Sequence, residues 1–374
     1  RDTDRSRGLG DVYKRQVFTA LMARFANCPV LYAYSKEEHF TAHQTRMVTK
    51  GHVKFGMKKD GLATAVEMTQ IADAGATAST QEFMLAVGTN SLPILCKTNN
   101  KKFDAKVVVT NHVPSGSFRG YGYLESSNLL TAAIFEACRR VDVDPMVYLE
   151  KNALALGEEF HNACSPMHPW QHNNSSDWQN LVRETAKACH WSERWKGWGV
   201  PTWVSPDGKK RRGIGVSAAG HADTGGKTSN ATVTITGLGA VYISTCMAEF
   251  GSGIRDIMQK IVAEELDMPI ESVKMAPADT GATPADFGST GSRSTYCGGI
   301  CALKAAQDVK RQLFEIVEQR HGIPKDDLAL RNGKIYQISN PEKVLPLFPM
   351  VIGKVDSITG VGHHNGVELS LIHI

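Results

Sequence analysis

Residues 116–122 read Gly116-Ser117-Phe118-Arg119-Gly120-Tyr121-Gly122, and directly behind them Leu129, Leu130, Ala133, Ile134 and Cys138 recur at helical spacing. A glycine-rich turn that feeds a helix leaves amides unpaired at the positive end of the helix dipole, where an anionic ligand is attracted. The same design occurs twice more. Gly251-Ser252-Gly253 precedes Ile254, Ile257, Met258, Ile261, Val262 and Leu266, one apolar helix face. Residues 288–294 (Gly288-Ser289-Thr290-Gly291-Ser292-Arg293-Ser294) precede a longer helix that ends near His321-Gly322, a C-cap pair. One such turn is only a turn. Three in one chain, two of them between residues 251 and 294, suggest a large anionic cofactor held from several sides.

Outward from these turns the pattern is mixed. Val53 and Phe55 alternate with polar residues up to Lys59-Asp60-Gly61, and alternation resumes through Val66, Met68 and Ile71, which predicts a hairpin. Asp144-Pro145 predicts a capped helix with proline at its first position. Residues 232–236 and 240–243 flank Gly237-Leu238-Gly239 and predict a second hairpin. Residues 17–25 carry a short helical run. The fold class expected is α+β, in two mixed α/β domains.

The domains are expected at residues 17–160 and 213–368, joined by a polar linker at 161–212. All six tryptophans lie between Trp170 and Trp203 and are read as packing onto a domain or subunit surface, with an aromatic ligand platform as the other option. Residues 1–16 and 369–374 resemble translated adapter sequence and are set aside from the fold as a non-native leader and tail.

With 374 residues, 42% hydrophobic and 21% charged, the chain is long enough for two cores. A net charge of +4 gives no nucleic-acid or membrane signature. Eight scattered cysteines without CxxC pairs read as buried thiols of a reducing compartment, the cytoplasm by default, and any iron–sulfur cluster belongs to another chain. Cys164, His168 and His172 could sketch a zinc site but lack a fourth ligand, so no metal site is expected from protein side chains. Lys209 to Arg212 reads as a solvated loop. No G-x-S-x-G elbow, Walker A or G-x-G-x-x-G pattern occurs.

Ser117-Phe118-Arg119-Gly120-Tyr121-Gly122, then Asp144-Pro145 and Lys151-Asn152-Ala153, resembles the "(A/S)FRG(F/Y)G … DP … RN" block of molybdenum subunits of the xanthine dehydrogenase/aldehyde oxidase family. Residues 249–253, then Ala263-Glu264-Glu265-Leu266 and Pro269, resemble that family's "E(M/I)GQG … AAEELGIP" block. Asp279-Thr280, Thr283-Pro284 and residues 288–295 resemble its "DT … TP … GS … SR.T" segment, and Asp60-Gly61 with Asp73-Ala74-Gly75-Ala76 its "DG … DAGAY" hairpin.

The resemblance implies two molybdopterin-binding domains and a molybdenum–molybdopterin cofactor, with the cytosine dinucleotide as one form it takes. It implies oxidation of an aromatic heterocycle (purine-like) or an aldehyde with water-derived oxygen, electrons leaving through iron–sulfur and FAD-binding partner subunits of a hetero-oligomer. Arg119 is then the candidate catalytic residue, facing a small-molecule substrate as a permanently charged planar donor, with Phe118 shaping the pocket. Gly120, Gly122, Gly251, Ser252, Gly253, Ser289, Gly291, Ser292 and Ser294 are the candidate cofactor contacts. Arg293 is read as a phosphate partner or a surface salt bridge.

Two departures stand out. Ser252 replaces the usual glutamine, and Tyr123-Leu124-Glu125 replaces the usual "GPQ". The family's catalytic glutamate lies in a GxGE motif, which Gly362-His363-His364-Asn365 before Glu368 does not match, and its GGxFGxK turn is also missing, so this polypeptide alone is expected to be inactive. Two other readings stay open: a subunit like hydroxybenzoyl-CoA reductase, and a non-catalytic binding protein that kept the fold.

Overall fold

In the computed structural model the described residues are 9–78, 81–89, 91–161, 170–173, 176–220, 228–277, 279, 281–286, 288–348, 353 and 356–365. They fall into two compact units, one of Gly8–Ala222 and a second built from Asp223–Ile374.

The first unit begins with α1 (Leu9–Ala26) and α2 (Lys36–Thr41) and is organised by the turn at Asp60-Gly61. This turn joins β1 (Val48–Met57) to β2 (Ala63–Gly75) as an antiparallel hairpin, and α3 (Gln81–Gly88), α4 (Ser91–Leu95) and β3 (Lys101–Val109) follow. β3 pairs parallel to β2, so β2 is central. Its buried face is Val66, Met68, Gln70, Ala72 and Ala74. Ile71, expected in the inward row, is 45% exposed, because residues of odd and even number in one strand face opposite ways.

Over the sheet lies α5 (Tyr123–Arg140), with Leu130, Ile134 and Cys138 buried at helical spacing as expected. Each such aliphatic side chain contributes about 1.5–3 kcal/mol of burial. Next comes α6 (Pro145–Asn152), capped by Asp144, which accepts from the Met146 amide at 2.7 Å. Two blocks of the resemblance meet here: the Asn152 carboxamide accepts from Ala63 N and donates to Gly61 O, both at 2.9 Å, and Lys151 Nζ reaches the Asp60 carboxylate at 2.8 Å. A buried asparagine thus satisfies the hairpin turn that the helix covers.

Behind α6 come β4 (Glu159–His161), β5 (Trp170–His172), α7 (Trp178–Ala188), α8 (Trp191–Arg194), β6 (Trp203–Val204) and β7 (Arg211–Arg212). The tryptophans divide. Trp191 is buried and donates its indole N–H to the Asp144 carboxylate at 2.9 Å, while Trp198 donates to Val143 O at 3.0 Å, so both seal the turn between α5 and α6. Trp170 and Trp203 stay exposed.

The second unit is a four-stranded sheet of order β10-β9-β8-β14 with two helices. The predicted hairpin is β8 (Ser229–Thr236) with β9 (Val241–Ser244). α9 (Ile254–Glu265), β10 (Val273–Met275) and α10 (Gly299–His321) follow, then a meander of β11 (Leu328–Arg331), β12 (Lys334–Gln337) and β13 (Val344–Pro346), and finally β14 (Ser357–His364). Its core joins Val233, Ile235 and Ile243 to Met258 and Val262 of α9 and Ala302, Ala305, Ala306 and Val309 of α10. β14 sits against α10 closely enough that a Cβ at Gly362 would overlap the Cys301 carbonyl, and one at Gly360 that of Ala305. α10 ends at Gly322 in the left-handed region (φ 65°), as the His321-Gly322 pair predicts.

Candidate functional site

The first glycine turn is set by the segment before it. Thr45 N donates to Pro114 O at 3.1 Å and Gly116 N to Thr45 O at 3.0 Å, so residues 44–46 run alongside 114–116. Below them Asp73 accepts from the Thr110 hydroxyl (2.7 Å) and the Gly75 amide (2.8 Å) and stands 2.6 Å from His112 Nδ1. Those hydrogen bonds, Thr110's foremost, hold its carboxyl down at about 2.

Arg46 then reaches into the turn three ways. It donates to the Glu125 carboxylate at 3.0 Å and to Arg119 O at 2.5 Å, and its guanidinium lies 4.7 Å from the centre of the Phe118 ring. Glu125, in the first turn of α5, is buried, and its second oxygen has no hydrogen-bond partner among the described residues. Phe118 and Arg119 are exposed, and the Arg119 guanidinium makes no hydrogen bond or ion pair among those residues.

The glycines separate by what surrounds them. At Gly122 (φ 75°) a Cβ would overlap the Met84 carbonyl, so this glycine is required by the packing of α3 on α5. Gly122 is buried, so its place in the motif has a packing reason of its own. A Cβ added at Gly120 (φ 71°) would meet no atom of the described residues within 4 Å, and the same holds at Gly253 (φ 76°) in the second turn. These two leave open room where a ligand could approach the backbone.

The second turn corrects an expectation about free amides. The Glu249 carboxylate accepts from Gly251 N at 2.6 Å, Gly253 N at 3.1 Å and Arg255 N at 3.3 Å, so the N-terminus of α9 is capped by its own chain. Burial pushes the Glu249 carboxyl up, but these amides outweigh it and hold it below the ordinary range. What the turn presents outward is the exposed Ser252 together with the open side of Gly253.

In the third turn Ser289 is buried and donates to Ala248 O at 2.9 Å, tying the third turn to the second. Arg293 is neither a phosphate partner nor a surface salt bridge: it is 1% exposed and meets the Asp286 carboxylate at 2.8 Å. It also donates to Gly288 O and Thr228 O, both at 2.8 Å, and to the Ser229 hydroxyl. Asp286 further accepts from Asn230 N at 3.0 Å. This buried pair folds the turn around itself and leaves Ser292 exposed at φ 61°, with Gly291 at φ 55° and Ser294 half-buried beside it.

Sequence reasoning missed Arg46, Glu125, Glu249 and Asp286 as partners. For Glu249 the signal was present, an acid two residues before a glycine turn; Arg46 carried none. Among the described residues no cluster of three His, Cys, Asp or Glu could hold a metal ion, and Cys164, His168 and Glu368 lie outside the described residues.

Each of the two units carries a glycine turn that feeds a helix and leaves open space at one glycine, Gly120 in one unit and Gly253 in the other. The model of the molybdopterin cofactor-binding domain matches residues 9–153, and a second model of the same description matches 174–368. The chain belongs to this molybdopterin cofactor-binding family, of the xanthine dehydrogenase/aldehyde oxidase kind.

Curated relatives include "Probable hypoxanthine oxidase XdhD" of Escherichia coli (strain K12), 26% identical over 86% of this chain and 34% of that protein. Another is the 6-hydroxypseudooxynicotine dehydrogenase complex subunit gamma of Paenarthrobacter nicotinovorans, 24% identical over 92% of this chain and 43% of the relative. The chain therefore spans less than half the length of these relatives. Among solved structures it shares its fold with quinoline 2-oxidoreductase from Pseudomonas putida 86, at a TM-score of 0.70 and 18% identity over 93% of this chain and 47% of that one. Aldehyde oxidoreductase from Desulfovibrio gigas matches at 0.65 and 17%, over 89% and 33%.

Proposed function

We propose that this chain is the cofactor-holding part of the catalytic subunit of a molybdenum hydroxylase that oxidises an aromatic heterocycle or an aldehyde. The observation that carries the reading is the exposed Arg119 guanidinium, without a protein partner among the described residues, on a turn whose backbone is held and whose Gly120 faces open space. A rigid, free, permanently charged donor suits binding of a polar substrate and stabilisation of negative charge that develops on it. Phe118, 38% exposed beside it, supplies an apolar wall.

The exposed groups of these turns suit a molybdopterin. Gly253 and Gly120 admit close approach, Ser252, Ser292 and Ser294 offer hydroxyls, and Gly291 permits the left-handed turn that presents them. When bound, the cofactor supplies the redox chemistry. Because Glu249 already takes the amides of Gly251 and Gly253, hydroxyls and carbonyls would hold the cofactor in the second turn, which suits a pterin better than a bare phosphate there.

The finer reading is a cofactor in the cytosine dinucleotide form, with electrons passed to separate iron–sulfur and FAD-binding subunits in a hetero-oligomer. A relative named as one subunit of a complex supports the hetero-oligomer. A reducing, cytoplasmic setting belongs to the same reading; burial pushes the Cys138 thiol up to about 11 and the Cys301 thiol to about 12, which marks both as inert core residues. Among the described residues no helix is long and apolar enough to cross a membrane.

The test uses the complete parent subunit, natively expressed. Near-stoichiometric molybdenum and pterin are expected, with turnover that falls by roughly 10²–10³-fold in Arg119→Ala while the metal stays bound. A folded protein with neither molybdenum nor pterin would sink the hydroxylase reading in favour of a binding protein.

A further inference from the structure

We infer that Arg46 is a positioning residue, a clamp that sets the backbone of the Arg119 turn and so aims a side chain it never touches. The inference rests on the reading of Arg119 above. Its evidence lies in where the three contacts of one guanidinium fall: the Phe118 ring, the Arg119 carbonyl and the Glu125 carboxylate, which together bracket the turn from its apex to the first turn of α5. The residue between these anchors keeps its own guanidinium exposed and unengaged among the described residues. A held main chain with a free side chain is the arrangement a substrate-facing arginine needs, since ordering the turn beforehand removes that cost from binding.

The charge pattern makes the clamp specific. Glu125 is buried with a side-chain exposure of 5%, one oxygen on Arg46 and the other without a partner among the described residues. It is the acid in Tyr123-Leu124-Glu125, where the resembling family carries a neutral amide. An unpaired carboxylate there would be costly, so the acid at 125 requires a cation, and Arg46 supplies it from a strand-like segment locked to residues 114–116. Only a planar fork can bond the carboxylate and the carbonyl at once while lying over the ring. A lysine ammonium has three donors on one nitrogen but no planar face, so it cannot span the two acceptors from separate nitrogens while stacking on the ring.

Arg46→Met would strand the buried carboxylate and unfold the turn for reasons of charge alone. The informative variant is therefore Arg46→Lys in the full subunit, alone and combined with Arg119→Ala. Hydrogen exchange of the metal-free and loaded proteins should show residues 117–124 exchanging about tenfold faster in Arg46→Lys, with β2 unchanged and metal and pterin content kept. In turnover, Arg46→Lys should lower kcat/KM about tenfold when Arg119 is present and less than about twofold when Arg119 is already alanine. Unchanged exchange in the turn would overturn the clamp whatever the enzyme does. Equal losses in both backgrounds would overturn the claim that Arg46 acts through Arg119. Loss of molybdenum from the unsubstituted subunit would instead count against the hydroxylase reading, and the exchange comparison on the metal-free protein would still decide the clamp.

Discussion

Two glycine turns of this chain are each fixed by an arginine and a carboxylate, in opposite ways. Arg293 belongs to the turn it fixes and is paired with Asp286 seven residues earlier, both side chains essentially sealed from water at 1% and 0% exposure. Arg46 lies outside its turn, 79 residues before Glu125, and keeps 30% of its side chain exposed. The buried pair wraps a turn around an arginine bonded through both terminal nitrogens and leaves hydroxyls to face outward. The half-exposed pair braces a turn from its rim and leaves another arginine unengaged among the described residues. A glycine-rich turn before a helix is therefore one sequence signature with two electrostatic solutions, and the solution decides what the turn can offer a ligand.

Substitutions should break this contrast in order of burial. Arg293→Met is expected to cost most, about 3–5 kcal/mol, because it leaves the Asp286 carboxylate buried without its counter-ion. Urea unfolding would measure it, and adding Asp286→Asn should recover a large part. Gly122→Ala should follow at about 2–4 kcal/mol, from overlap with the Met84 carbonyl plus a left-handed backbone, whereas Gly120→Ala should cost only about 1 kcal/mol, since open space surrounds it. Equal costs at the two glycines would refute the division between packing and ligand-facing positions. Glu249→Ala should cost about 1 kcal/mol as a lost helix cap, while exposing the Gly251 and Gly253 amides. If it also tightens binding of a small anion to the metal-free protein, self-capping is what suppresses phosphate affinity in that turn.

The gentlest test is acid. The Asp73 carboxyl is held at about 2 against an ordinary 3.8, first by Thr110, then by the Gly75 amide and His112. A depressed folded value means the contribution is complete above the ordinary value and is lost as pH falls through the folded one. Stability should therefore drop between about pH 4 and pH 2, and Asp73→Asn should flatten that stretch of the urea midpoint against pH. An unchanged slope would mean that other carboxylates set acid stability.

The two hairpins, α5, α9, α10 and the Asp144 cap were legible because each rests on local pattern: a turn residue, an apolar period, a capping side chain. Ile71 was misplaced because alternation does not say which parity is inward when both carry apolar residues. β14 was not foreseen, since nothing local marks Gly360 and Gly362 as strand positions until α10 lies against them. Of the site, the turns and Arg119 were visible as motifs. The roles of Gly122, Glu249 and Arg293 were not, because a motif string records a residue's place and not whether a neighbour has already used its hydrogen-bonding capacity.

What the sequence by itself determined is therefore the helix and hairpin inventory and the three turns, each encoded in neighbouring residues, and the family, encoded in the order of several such short blocks. Tertiary structure alone decided which glycines face protein and which face open space, and which charges are neutralised. Those properties depend on contacts such as Arg46 with Glu125 or Lys151 with Asp60, 79 and 91 residues apart. At such separations only packing brings the groups together, and in a buried setting the partner, more than the residue type, sets what a charge can do.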